Sequence, residues 1–142
     1  MGYPAKGAGV SSLDTRERFV LLMGDLNDEV EAATTQFLNG PGGSEIGTAG
    51  FEHDAQGDGD RMWNLAPLIP EDQRFSRIYR GRQELIDHIF ASHRMLKTTP
   101  MVSTAFAESQ AATLRSIDDD PRPEQGKPGS DHSAVIAEFA LG

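Results

Sequence analysis

The first regular pattern in the chain is an apolar run of strand length, followed by a segment with helical spacing. Residues 18–23 (RFVLLM) carry this run and lead into Gly-Asp, which predicts a strand buried on both faces. Apolar positions then recur at helical spacing over residues 29–38, and Asp28 precedes them as a candidate cap. Residues 1–17 are rich in Gly, Ser, Ala and charge, and they predict a flexible tail.

The remainder of the chain predicts further strands with little helix between them. Strand-like patterns occupy residues 74–80, 83–91, 98–106 and 133–141, and Gly81-Arg82 forms the tight connection between the first two. Residues 61–65 predict one helical turn, residues 107–117 predict a short helix, and residues 40–60 form a long glycine-rich loop. The pattern predicts an α/β protein of one domain. Because only one helix is convincing, one face of the sheet is expected to lack cover.

The composition narrows the classes of protein to which this chain can belong. Its 142 residues include 22 acidic and 13 basic side chains, and the net charge of -9 argues against nucleic-acid binding by bulk electrostatics. The absence of cysteine excludes disulfide-stapled scaffolds and thiolate metal sites. No apolar stretch approaches the roughly 20 residues of a transmembrane helix, and the N-terminus lacks an apolar secretory core. We therefore expect a soluble protein, cytoplasmic in preference to secreted.

A polar segment directly follows the first predicted strand and carries candidate chemistry. Asp25 and Asn27 lie there, and the ends of strands are where α/β proteins bind ligands. A carboxylate in this position can orient a water or a metal, and an amide can donate to a phosphoryl oxygen. The same Gly-Asp-Leu-Asn-Asp segment is also typical of an ordinary turn, and that alternative stays open.

Two further aspartates each precede a histidine. Asp87 and His88 lie within an apolar strand, so they point to opposite faces, and His88 is expected to be a half-exposed strand residue. Asp87 stands among apolar neighbours, where an unpartnered carboxylate is costly. Asp131 and His132 lie at the entry to the last strand. A catalytic histidine needs a carboxylate that fixes its tautomer, and Asp87 or Asp25 could reach His132 across the sheet.

Arginine dominates the basic residues and suits bidentate contact with phosphate. Ten of the 13 basic side chains are arginine. Arg80 and Arg82 flank a glycine just before the strand of Asp87, which fits a phosphate-facing role. Surface ion pairs with nearby acids such as Glu84 explain these arginines equally well. For Trp63, core packing is favoured over stacking on a base.

Three segments, taken in order, resemble the second half of the endonuclease/exonuclease/phosphatase superfamily. They are VLLMGDLND (20–28), RQELIDHIFAS (82–92) and GSDHSAVIAEF (129–139). The resemblance implies a two-sheet, four-layer α/β sandwich, of which residues 18–142 would form the C-terminal half. It also implies hydrolysis of a phosphodiester or phosphomonoester by an activated water, with Mg²⁺ or Mn²⁺ as cofactor. The substrate would be nucleic acid or a small phosphoester.

The resemblance implies catalytic roles for four residues. Asp25 matches the aspartate that orients or deprotonates the attacking water, and Asn27 matches the asparagine that contacts the scissile phosphate. Asp87 matches an aspartate that supports the catalytic histidine or the phosphate geometry. His132 matches that histidine, which stabilises the charge that develops on the phosphate.

The resemblance also implies metal and substrate ligands. Asp131 matches an aspartate near the metal that also pairs with the catalytic histidine, and Asp25 is its companion at the metal. Ser130 is expected to position the same loop and is counted among the substrate-binding residues. Arg80 and Arg82 join it there because of their phosphate chemistry, which does not depend on the resemblance.

The family domain has a first half that carries an asparagine, a metal-binding glutamate and a histidine, and the residues before Gly24 offer no match for them. We therefore expect a C-terminal fragment, or a gene that keeps only this half, with little activity alone. Its partner would be the missing half or a second copy, because an uncovered apolar sheet favours self-association. A catalytically inactive binding or assembly module and a non-functional truncation remain the alternatives.

Overall fold

The computed structural model describes residues 18–39, 45–48, 51, 61–105, 116–117 and 130–140. These residues contain one α-helix, α1 (Ala33–Asn39), and the strands β1 (Leu21–Asp25), β2 (Trp63–Asn64), β3 (Arg77–Tyr79), β4 (Arg82–Glu84), β5 (Asp87–Ala91), β6 (Met101–Thr104), β7 (Ser116–Ile117) and β8 (Val135–Glu138). Short 3₁₀ helices lie at Ala66–Leu68, Glu71–Gln73 and His93–Leu96. This mixture of helix and strand confirms the predicted α/β class.

The strands within the described ranges form three small sheets. Their orders are β1-β5-β2, β4-β3-β7 and β6-β8. Neighbouring strands run antiparallel, except for the parallel pair β3–β7. Only Leu85 and Ile86 separate β4 from β5, so the chain passes there from the second sheet into the first. The single strand predicted over residues 83–91 is therefore two strands in different sheets.

The hydrophobic core packs around β2 and β5. Trp63, Leu65, Ile89 and Ala91 belong to one buried cluster, and each of the large side chains in it contributes about 1.5–3 kcal/mol by leaving water. Trp63 is 2% exposed, and Phe51 meets its ring edge-on with 6.1 Å between ring centroids. Trp63 is thus a core residue, as the sequence analysis favoured.

Strand β1 lies at the edge of its sheet and is exposed at all five of its positions. The prediction that this apolar run is buried on both faces is therefore wrong. Within the described part of the chain β1 pairs with β5 alone. Leu22 is 41% exposed and Met23 is 61% exposed, and these neighbours project to opposite faces. Apolar side chains of β1 are therefore exposed on both faces of this strand.

Residues 61–65 contain strand β2 and not the predicted helical turn. Trp63 pairs with Ala91, and Asn64 pairs with Phe90, in antiparallel register with β5. Backbone pairing with a strand that is distant in sequence outweighs the weak local preference of so short a segment.

Helix α1 begins at Ala33, which is later than predicted. The Thr35 hydroxyl donates to the Glu29 carbonyl, and the Gln36 amide donates to the Val30 carbonyl, each at 2.8 Å. These side chains bond to carbonyl groups that would accept backbone N–H groups if the helix began earlier in the chain. A turn therefore precedes α1.

The remaining sequence predictions fall on residues that the structure describes only in part. Of the helix predicted over residues 107–117, only Ser116 and Ile117 are described, and they form strand β7. The predicted tail over residues 1–17 and most of the loop over residues 40–60 lie outside the described residues. None of the helices in the described ranges is long and apolar enough to cross a membrane.

Candidate active site

The antiparallel pairing of β1 with β5 brings two aspartates together at the edge of the sheet. Its register sets Asp25, the last residue of β1, opposite Asp87, the first residue of β5. Directly opposed residues of antiparallel strands project from the same face, so the two carboxylates are neighbours. The pairing continues one step further, because the Leu26 N–H donates to the Ile86 carbonyl at 2.9 Å.

Asn27 lies in a tight turn that begins at Asp25. The N–H of Asn27 donates to Oδ1 of Asp25 at 2.8 Å. Asn27 has a φ of 53°, in the left-handed region that asparagine adopts more readily than most residues. Asp25 and Asn27 therefore form a turn and are at the same time the candidate ligand-binding residues. The turn holds one carboxylate oxygen of Asp25 and leaves the Asn27 side chain exposed.

His132 pairs with Asp87 and so joins the same edge. Its Nδ1 lies 2.8 Å from Oδ2 of Asp87, and the two side chains are 21% and 22% exposed. An ionised carboxylate can only accept, so Nδ1 carries the proton and Nε2 remains for a ligand. The Ser130 hydroxyl accepts the backbone N–H of His132 at 3.1 Å.

Asp25, Asp87 and His132 together form a group that could hold a metal ion. One potential ligand atom from each residue lies within 4.8 Å of the others. Asp131, which the resemblance assigns to the metal, is exposed and lies outside this group. The carboxylate that contacts His132 is that of Asp87.

His88 is buried, with 2% exposure, and the prediction of a half-exposed residue is wrong. It projects from β5 on the side opposite Asp87, Ile89 and Ala91, next to the buried ring of Phe90, with 6.1 Å between ring centroids. Its Nε2 lies 2.8 Å from the carbonyl oxygen of Asp28, in the segment that follows Asn27. A carbonyl only accepts, so Nε2 carries the proton and donates to Asp28.

Asn64 is the second hydrogen-bond partner of the buried His88 ring, and the sequence did not identify it as such. Its Oδ1 accepts the Ala66 N–H at 2.9 Å, which fixes the orientation of the amide. Its Nδ2 therefore donates to Nδ1 of His88 at 3.1 Å. Asn39 of α1 accepts the Asn64 backbone N–H at 2.9 Å. The signal that could have identified Asn64 is a lone amide within an apolar segment, MWNLA.

Glu84 is a buried carboxylate between two arginines of the β3–β4 hairpin. It is 5% exposed, and its Oε2 accepts from Nε and from Nη2 of Arg77, each at 2.9 Å. Arg82 donates to the other oxygen, with Nε at 3.1 Å. Burial alone would raise the pKa of Glu84, but the hydrogen bonds and charges of Arg82 and Arg77 outweigh it and lower that pKa.

Arg82 connects this hairpin to the segment that carries Asp25 and Asn27. Its Nη2 lies 3.4 Å from Oε1 of Glu29, and its side chain is 72% exposed. The hydrogen bond and charge of Glu84, followed by the charge of Glu29, raise the pKa of Arg82. The ion-pair interpretation of Arg82 is thus realised with Glu84.

Arg80 sits at the tip of the same hairpin. It is exposed, has a φ of 49° and holds its guanidinium 5.4 Å from the centre of the Tyr79 ring. Arg77 lies over the same ring at 5.1 Å. Two guanidinium groups of the β3–β4 hairpin therefore lie over the Tyr79 ring.

A model of the endonuclease/exonuclease/phosphatase family matches residues 6–132. The match contains the first two segments and residues 129–132 of the third, so it includes Asp25, Asp87 and His132, and it begins inside the segment predicted as a tail. No curated protein and no solved structure matches the chain.

Proposed function

Because this chain belongs to the endonuclease/exonuclease/phosphatase family, we propose that it carries the site for metal-dependent hydrolysis of a phosphodiester or a phosphomonoester. The observation that carries the proposal is the grouping of Asp25, Asp87 and His132 at one sheet edge, with ligand atoms within 4.8 Å of one another. Two carboxylates and an imidazole are the groups that activation of water and binding of a phosphate require.

Each member of the group has a distinct proposed role. Asp25 orients the attacking water or accepts its proton. Asp87 holds His132 through the 2.8 Å hydrogen bond to Nδ1, so that Nε2 addresses the phosphate. Asn27 donates its exposed side-chain amide to a phosphoryl oxygen. These roles follow the family resemblance, and the hydrogen bond between Asp87 and His132 supports them.

The donor set fits a hard or borderline divalent cation such as Mg²⁺ or Mn²⁺. The carboxylate oxygens of Asp25 and Asp87 suit both ions. Asp25 belongs both to the observed group and to the pair with Asp131 that the resemblance implies. When bound, such a cation supplies charge to a phosphoryl oxygen and lowers the pKa of a coordinated water.

We propose that full activity needs a further segment that provides a metal-binding glutamate. With Nε2 of His132 directed at the phosphate, Asp25 and Asp87 are the carboxylates of the group that remain for the metal, whereas these cations take about six ligands and bind weakly to few carboxylates. The 142-residue chain alone is therefore expected to hydrolyse phosphate esters slowly.

Arg80 and Arg82 are the proposed contacts to substrate phosphate, with Ser130 as the residue that holds the His132 loop. The Arg82 contact to Glu29 is a 3.4 Å pair at a largely exposed side chain, and such pairs are weak. A substrate phosphate can replace Glu29 without loss of the hydrogen bonds to Glu84. The site would then accept nucleic acid or a small phosphoester.

A second candidate function is an inactive binding or assembly module. The exposed apolar side chains of β1, at the open edge of its sheet, favour this alternative.

Hydrolysis assays separate the two functions. The substrates are bis(p-nitrophenyl) phosphate and plasmid DNA, with Mg²⁺ or Mn²⁺, and the chain is compared with a form extended by any upstream sequence in its reading frame. Activity of the extended form that His132→Ala abolishes supports the enzyme. Folded proteins of both forms that cleave neither substrate contradict it and leave the binding module.

A further inference from the structure

Ser76 is a fully buried residue that contacts the backbone on both sides of the Asp87–His132 pair. It is 0% exposed and directly precedes β3. Its Oγ accepts the N–H of Ile86 at 3.2 Å and the N–H of Asp87 at 3.3 Å. Its carbonyl oxygen accepts the N–H of Ser133, the residue after His132, at 2.7 Å.

The Ser76 hydroxyl accepts hydrogen bonds from backbone N–H groups that lose their sheet partners where the chain passes from one sheet to the other between β4 and β5. The Ser76 N–H donates to the Glu84 carbonyl at 2.9 Å, which extends the β3–β4 pairing by one step. Beyond Glu84 the chain leaves that sheet, and the N–H groups of Ile86 and Asp87 need another acceptor. A serine oxygen can accept twice and is short enough to do so from within the core. This explains why a polar residue occupies so buried a position.

We propose that Ser76 is the positioning residue that sets the distance between Asp87 and His132. Its side chain holds the start of β5, and its carbonyl holds the segment that carries His132. The proposal rests on the proposed function, since it gives Ser76 a part in a hydrolytic site. A displacement of about 1 Å within a catalytic pair can reduce turnover on the order of 100-fold.

Two substitutions remove the acceptor in different ways. Ser76→Ala deletes Oγ and leaves the backbone contact to Ser133 in place. Ser76→Cys keeps an atom in the same space but offers only a weak acceptor, so it guards against a simple loss of packing. Each variant is first checked for folding by its thermal unfolding transition.

Ser92→Ala is the matched control. Ser92 is also 0% exposed and follows β5 at its opposite end. Its Oγ accepts the Val20 N–H at 3.1 Å and donates to the Arg18 carbonyl at 2.7 Å. The control therefore removes an equally buried hydroxyl that ties the same strand, away from His132.

The primary readout is the tautomer of His132. It is detected in long-range ¹H–¹⁵N correlation spectra of the chain, recorded at a pH where the imidazole is neutral. The wild-type chain is expected to hold the Nδ1–H form, because Asp87 accepts that proton. Ser76→Ala and Ser76→Cys are expected to shift His132 toward the Nε2–H form that an unpartnered imidazole favours. Ser92→Ala is expected to keep the wild-type tautomer even where it lowers thermal stability to the same extent.

The second readout is kinetic and uses whichever form of the protein hydrolyses bis(p-nitrophenyl) phosphate. The Ser76 variants are expected to lose on the order of 100-fold in kcat with KM unchanged, and Ser92→Ala is expected to keep kcat. The positioning role is overturned if the folded Ser76 variants keep the Nδ1–H form, if Ser92→Ala loses it equally, or if wild-type His132 lacks it. A tautomer change in a protein that hydrolyses nothing supports the positioning role and contradicts the proposed function, so the two failures are distinguishable.

Discussion

Asp25, the last residue of β1, and Asp87, the first residue of β5, lie directly opposite each other. Two carboxylates in this relationship repel each other, and directly opposed like charges destabilise a strand pair by roughly 0.2–1 kcal/mol. The hydrogen bond from Nδ1 of His132 stabilises only the Asp87 carboxylate of the two. An arrangement that costs stability at the edge of a sheet, and that a divalent cation would relieve, is typical of a functional site.

Asp25→Asn is expected to leave the free energy of unfolding unchanged or to raise it by up to about 1 kcal/mol. The amide oxygen can still accept the Asn27 N–H, so the turn persists, while the repulsion with Asp87 is removed. Urea denaturation at pH 7 without added metal measures the change. Asp72→Asn, at an exposed position of a 3₁₀ helix, is the control. A clear loss of stability in Asp25→Asn would show that the two carboxylates do not oppose each other.

Glu84→Gln is expected to destabilise the protein by about 2 kcal/mol, because it removes charged hydrogen bonds to Arg77 and Arg82 at a buried position. Chemical denaturation at pH 7 measures the loss. Glu71→Gln makes the same change at an exposed residue and is expected to cost much less. Equal losses in the two variants would contradict the stabilising role of Glu84.

The same carboxylate makes stability depend on pH in a defined direction. The folded-state pKa of Glu84 is lowered from its ordinary value of 4.5, so the folded protein binds this proton less readily than the unfolded chain. The stabilisation is therefore fully present above the unfolded pKa and is lost as the pH falls through the folded pKa. The stability difference between wild type and Glu84→Gln is expected to shrink below about pH 4.5. A difference that stays constant down to pH 3 would contradict this linkage.

His88 and Asn64 are expected to act as one unit that holds the segment after Asn27. His88→Phe leaves the Asp28 carbonyl and the Asn64 amide without their partner, which costs about 1–3 kcal/mol. A double-mutant cycle with Asn64→Leu is expected to give a coupling energy above about 0.5 kcal/mol. Thr104→Val is the control, since Thr104 donates to Gln73 and has no hydrogen-bonded partner in common with His88. Additive effects in the first cycle would contradict the contact.

The edge of β1, which has no partner strand among the described residues, predicts self-association of the chain. Met23→Lys places a charge on this edge strand and is expected to shift the population toward monomer, because edge charges oppose strand pairing between copies. Sedimentation velocity over a range of concentrations measures the shift. Phe37→Lys replaces an even more exposed apolar residue, 79% exposed, on helix α1 and is expected to change little. If both variants dissociate equally, association does not depend on the strand edge.

The residues of the candidate site could be predicted from sequence because their signals are local. Asp25 and Asn27 follow an apolar strand, Asp87 interrupts another, and His132 enters a third. The sequence leaves the partner of His132 open among Asp131, Asp87 and Asp25, since the answer depends on tertiary pairing such as the register of β1 against β5. Register is set by tertiary pairing, which a single sequence does not display.

The buried polar residues could not be predicted for the same reason. His88 resembles a half-exposed strand residue until β2 packs beside it with Asn64. Ser76 has no distinguishing neighbours in sequence, and its importance arises from the change of sheet between β4 and β5. The exposure of Met23 reflects the edge position of β1, which hydrophobicity alone cannot distinguish from a central one.

The most direct test of the proposed site is the metal-dependent rate of hydrolysis of bis(p-nitrophenyl) phosphate by variants of its three members. In the form of the protein that shows activity with Mn²⁺, Asp25→Asn, Asp87→Asn and His132→Ala are each expected to reduce kcat by a factor of about 100 or more. Asp72→Asn, which replaces an exposed aspartate outside the group, is expected to retain the wild-type rate. Wild-type rates in the three site variants, or hydrolysis that persists unchanged after removal of divalent metal by chelation, would contradict the account.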